Sequence, residues 1–116
     1  HIDRKRDYMR IIMDRDAVCA GDDMNHHREE FTVPDDITIA GLFKFLELKY
    51  IPVIFGNNVV WALYYHDREL GAYFTKIQSF INENISLSSI INKSEKDHEF
   101  YLHYYSHPDI YRKRFI

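Results

Sequence analysis

The stretch that most constrains this chain is Glu29 to Tyr50, which reads EEFTVPDDITIAGLFKFLELKY. Glu29, Phe31 and Val33 alternate with Glu30 and Thr32. Period two in a short run of aromatic and β-branched residues predicts a half-buried strand. Pro34 ends it, because proline has no N–H for a ladder. Asp35 and Asp36 are turn residues, and both suit the positive end of the next helix's dipole. Thr38 is the expected N-cap, its hydroxyl accepting an orphan N–H of the first turn. Ile39, Leu42, Phe43, Leu46 and Tyr50 then fall at steps of three and four, which places them on one helical face. Phe45 and Leu48 widen that face. Lys44, Glu47 and Lys49 take the remainder, and Pro52 disfavours helix at Ile51.

Before this stretch, Asp7–Met13 reads as a first strand. Asp14–Arg28 is a long connection rich in Asp, Asn, Gly and His, and Ala17–Ala20 could extend the strand past a bulge. After it, Ile51–Phe55 reads as a strand and Gly56-Asn57-Asn58 as a tight turn. Val59–Tyr65 is apolar on both faces, as a central strand covered on both sides would be. His66–Glu69 is a polar turn and Leu70–Phe74 a final strand. From Thr75 the period changes. Thr75 is placed to cap a helix carrying Ile77, Phe80, Ile81 and Ile85, and Ser86 a second with Leu87, Ile90 and Ile91. Lys93–Asp97 is a charged break. His98–Tyr105 fits either period and is assigned here to helix. Pro108 starts a last helical turn running into Tyr111.

The expected fold is therefore α+β: a mixed twisted sheet of four to five strands crossed by one main helix, with a helical C-terminal extension over 76–116, all in a single domain. The pattern carried by Phe31, Val33, Pro34, Asp36, Thr38, Ile39, Leu42 and Leu46 resembles the ubiquitin-like β-grasp superfamily over residues 7–75. That resemblance implies a hairpin followed by one helix lying across a mixed sheet. No diglycine ends the sequence, so conjugation and sulfur-carrier chemistry are not expected, and the last forty residues have no counterpart in a minimal β-grasp.

At 116 residues with 46% hydrophobic and 16% aromatic content, the chain has enough apolar material to close one core, which excludes general disorder. Fifteen basic and 18 acidic residues give a net charge of −3 and no basic stripe for nucleic acid. A single cysteine, Cys19, fits a reducing compartment. No apolar run approaches a membrane span, and the polar start HIDRKR is not a signal peptide. The expectation is a cytoplasmic protein.

Several groups of residues could carry chemistry. Asp14, Asp16, Asp22 and Asp23 lie within ten residues, and carboxylates suit hard cations, but the spacing departs from an EF-hand loop. His26 and His27 add nitrogen ligands of the kind zinc takes. Cys19, flanked by Val18 and Ala20, reads as a small buried hydrophobe rather than a nucleophile, since nothing in sequence sets a base beside it. The C-terminal aromatics and bases, above all Tyr101, Tyr104, Tyr105, Tyr111, Arg112 and Arg114, suit a protein interface. Trp61 and Tyr64-Tyr65 point to two faces of one strand, one of which would be a binding patch if exposed.

No complete catalytic set is present, and no cofactor is called for. The expected function is a small intracellular, non-catalytic protein-interaction domain whose partner is another protein. Unpaired edge strands also leave room for a homodimer. The alternative is a calcium- or zinc-binding protein using the Asp14–His27 loop.

Overall fold

A computed structural model describes residues 7–18, 27–52 and 58–115. Among them, six strands form one mixed sheet: β1 (Tyr8–Arg15), β2 (Glu29–Pro34), β3 (Val60–Tyr65), β4 (Arg68–Phe74), β5 (Ser79–Ile81) and β6 (His98–Tyr105). Their spatial order is β2-β1-β6-β3-β4-β5. The first two strands pair antiparallel, with Met9 opposite Val33 and Ile11 opposite Phe31. β6 then runs parallel to β1, with Ile11 opposite His98, and antiparallel to β3, with Leu63 opposite Leu102. A register shift at Leu63/Tyr64 marks a bulge between β3 and β4.

One α-helix, α1 (Ile39–Lys49), crosses one face of this sheet. Ile39, Leu42, Phe43 and Leu46 are fully buried, and they share a core with Met9, Ile11, Met13, Val33, Trp61, Leu63, Phe100 and Leu102. Phe45 widens the apolar face as expected, meeting the Phe31 ring edge-on at 5.3 Å. Leu48 does not: it is 85% exposed.

The start of α1 is tied to a segment far along the chain. Thr38 Oγ1 accepts from the Gly41 N–H at 3.1 Å, the expected cap. The Ile39 and Ala40 N–H groups donate to the carbonyls of Ile85 (2.9 Å) and Glu83 (3.0 Å). The orphan donors of the first turn are thus satisfied by a strap from beyond β5. Leu87 N–H donates to Ile37 O at 2.9 Å, which extends the same pairing. Replacing Thr38 by Ala is expected to cost about 1 kcal/mol in chemical denaturation. A loss within error of zero would mean that the strap alone holds this terminus.

The helical extension over 76–116 is corrected in most of its length. Gln78 and Asn82 sit at φ 51° and 61°, left-handed positions that flank the strand β5 where a helix was expected. The segment that Ser86 was expected to cap is a single 3-10 turn, Leu87–Ser89, to which Ser86 makes no side-chain cap bond; its neighbours are paired with the start of α1 instead. His98–Tyr105 is a strand, not a helix. It fills the gap between β1 and β3, and without it both would present unpaired backbone inside the sheet. The sheet accordingly has six strands rather than four to five. A short helix, α2 (Pro108–Lys113), does follow, with Pro108 in its first turn as expected. The strand expected at Ile51–Phe55 and the turn at Gly56–Asn58 fall mostly on residues outside those described.

The second face of the sheet is covered over only part of its width. Val60, Ala62, Ala72 and Phe74 form a separate small core there under Tyr111 of α2, with Tyr64 and Tyr105 packed at its rim.

Candidate functional site

The alternation of β6 separates the residues that the sequence grouped together. Tyr101 and Tyr105 lie on the second face, while Tyr104 lies on the α1 face against Trp61, ring centroids 5.1 Å apart. Tyr111 is 2% exposed. Its hydroxyl donates to Glu69 Oε2, and burial followed by that carboxylate pushes it above the usual tyrosine range. Arg114 closes the group: Nη2 lies 3.0 Å from Glu69 Oε1, and Nη1 donates to the Tyr64 and Tyr105 hydroxyls at 3.0 Å each. Arg112 lies over the Phe74 ring at 5.0 Å. These side chains therefore fasten α2 to the sheet before they are available to anything else. Of the strand pair, Trp61 and Tyr65 are core on the α1 side, and Tyr64 on the other face is half-buried beneath α2.

Beyond α2, no element among the described residues covers the second face across β2, β1 and β6. Arg10 on β1 bridges its two neighbours, with Nε 2.6 Å from Glu30 on β2 and Nη2 3.1 Å from Asp97 at the foot of β6. Arg28 reaches across β1 to Glu99 at 2.8 Å. Between these two bridges Ile12 is 6% exposed, an apolar floor under charged side chains. A shallow depression of about 390 Å³ is lined by Arg10, Ile12, Arg28, Glu29, Glu30 and Asp97. A second, of about 280 Å³, borders it through Arg28 and reaches Asp14, Glu99 and Tyr101. Sequence reading missed Arg10, Arg28, Glu30, Asp97 and Glu99. Arg10, Glu30 and Glu99 had only the alternation within their strands as a signal, Arg28 and Asp97 at the strand ends had none, and the pairing that joins Arg10 to Asp97 spans some ninety positions.

Of the expected metal ligands, Asp22, Asp23 and His26 lie outside the described residues, as does Cys19. Asp16 is engaged by β6: it accepts from Tyr101 Oη at 2.7 Å and from the Tyr104 N–H at 2.8 Å. Asp14 accepts from the Arg15 N–H at 2.9 Å, and the His27 carbonyl accepts from the Tyr50 hydroxyl. Among the described residues, no group of three or more His, Cys, Asp or Glu side chains is placed to hold a metal ion.

A further polar chain ties the strap to the sheet. Glu95 accepts from the Tyr65 hydroxyl and lies 2.9 Å from His66 Nε2, while His98 Nδ1 is 3.5 Å from the same hydroxyl. The bonds from Tyr65 and then His66 hold the Glu95 carboxyl below its ordinary range. A depressed carboxylate contributes stability above its ordinary value of 4.5, and loses it as pH falls through the folded value. The Tm gap between wild type and Glu95→Gln should therefore close as pH drops below 4.5. A gap unchanged between pH 7 and pH 3 would show that Glu95 acts without its charge.

Comparison with protein-family models, curated proteins and solved structures returns no match. Among the described residues, the fold and this face define an α+β domain with a helix packed on one sheet face and the other half open. No helix among the described residues is long and apolar enough to cross a membrane.

Proposed function

We propose that this chain is a small intracellular, non-catalytic protein-interaction domain of the ubiquitin-like β-grasp type, and that the open β2–β1–β6 face is the surface its partner meets. One observation carries the reading. Among the described residues, α1 packs across one side of the sheet, whereas on the second face α2 covers β3 and β4 and leaves a cross-strand lattice of Arg10, Arg28, Glu30, Asp97 and Glu99 above Ile12.

Two further features support it. A leading antiparallel hairpin, a crossing helix and a parallel pairing of first and last strands are the arrangement that a β-grasp would need, with β5 as an added edge strand. Arg10, Arg28, Glu30, Asp97 and Glu99 on the open face are paired with one another across strands, as suits recognition by a complementary surface. Tyr101 borders this surface, whereas Tyr111 and Arg114 serve it by holding α2 aside.

Chemical cross-linking in an extract, with the wild type compared against Arg10→Ala/Arg28→Ala and against Ile110→Ser on the outer side of α2, tests this. The first variant should lose the specific partners and the second keep them. Partners indifferent to Arg10 and Arg28 would remove this face from the proposal.

A further inference from the structure

The socket that receives Tyr111 is built from residues remote from the tail. Ala62 and Ala72 stand directly opposite each other on β3 and β4, and both are fully buried. With Val60 and Phe74 they make a slot whose small side chains leave room for one large ring. The Tyr111 ring fills it, edge-on to Phe74 at 5.5 Å and to Tyr105 at 5.4 Å. Above the slot, Glu69 takes the Tyr111 hydroxyl and the Arg114 guanidinium together. A knob, a slot and a charged catch are thus all present in one place.

The link between the strand and this knob is very short. Only Ser106 and His107 separate β6 from α2. His107 is already extended at φ −158°, ψ 146°, as a residue before proline is biased to be. The chain leaves the sheet by a bend at this pair alone, so a change confined to the link would carry β6 straight on and release α2 outward. Every contact that α2 makes with β3 and β4 could then be made on a neighbouring molecule without any new surface being required.

We infer that the socket is also an interface between copies of this chain: a second copy inserts its Tyr111 and sets its Arg114 on Glu69, giving a tail-exchanged dimer. This surface is distinct from the open face proposed above and does not depend on it. The cis tail competes at an effective concentration on the order of 1 mM, as a short tether provides, so the exchanged dimer is a minor species in dilute solution. Weakening the cis catch while keeping the trans catch should shift the balance.

Charge reversal does this. A chain carrying Glu69→Arg and a chain carrying Arg114→Glu each face like charges, both in cis and in a homodimer. Mixed, each tail meets an opposite charge on the other chain. Sedimentation velocity should show a 1:1 heterodimer in the mixture, with at least about tenfold more dimer than either variant alone. Two monomers in the mixture would overturn the inference.

If either variant fails to fold, the wild type decides. Incubated near 1 mM, it should yield a dimer that persists for a time on dilution and is abolished by Tyr111→Ala. A monomer throughout, or a dimer indifferent to Tyr111→Ala, would equally overturn it.

Discussion

Trp61→Ala is expected to be the most damaging single change, lowering stability by about 3–5 kcal/mol. Trp61 is 1% exposed on β3, which lies inside the sheet between β6 and β4. It faces α1, with Tyr104 and Tyr73 as its cross-strand neighbours. Hydrogen-bonded strands flank it on both sides, and it shares its core with Leu42, Phe43 and Leu46 of α1, so among the described residues little is free to fill the space. The cost is therefore the lost transfer energy plus most of the cavity term. For a domain whose whole stability is on the order of 5–15 kcal/mol, this is a large share. Urea denaturation should show a lower midpoint at an unchanged slope. A loss below about 1 kcal/mol would mean that Trp61 is not packed as described.

Gly71→Ala should be the second most damaging, by a different route. A Cβ built there would lie 2.5 Å from the Ile81 carbonyl oxygen and 2.9 Å from Ile39 Cγ2. The first of these is backbone in a paired strand, so it cannot move aside without parting β4 from β5. The second is the first buried residue of α1. The expected loss is about 1–3 kcal/mol, the usual range for overpacking. Its location is more informative than its size. Parting β5 would also loosen the strap whose Glu83 and Ile85 carbonyls take the Ala40 and Ile39 N–H groups. Hydrogen exchange at those two amides should rise well beyond the change at β1. Uniform protection in the variant would show that the helix start does not depend on this edge.

The two positions differ in how far their neighbours in sequence betray them. Trp61 lies in a run apolar at every position, and such a run reads as a doubly covered strand. Gly71 carries no such mark. Its neighbours Leu70, Ala72 and Tyr73 fit a strand with any small residue, and the closeness of Ile81 arises only after β5 has docked. The Arg10–Glu30–Asp97 bridge has the same origin, since three strands must align before it exists.

What the chain alone determined is what depends on near neighbours. The helix over Ile39–Lys49 follows from apolar residues at a helical period and a threonine able to accept its own helix's N–H. The hairpin strands and β3 follow from alternation, or unbroken apolarity, over a few residues. Tertiary structure alone decided His98–Tyr105 and Ser79–Ile81. The first has aromatics at both periods, and it became a strand because β1 and β3 each had a ladder edge for it to satisfy. The second lies between two residues at positive φ and pairs with β4, while the strap beyond it supplies carbonyls to a helix some forty positions upstream. Local preference is worth tenths of a kcal/mol per residue, and an unpaired backbone group inside the fold costs about 1–3, so at these two segments the distant partner prevailed.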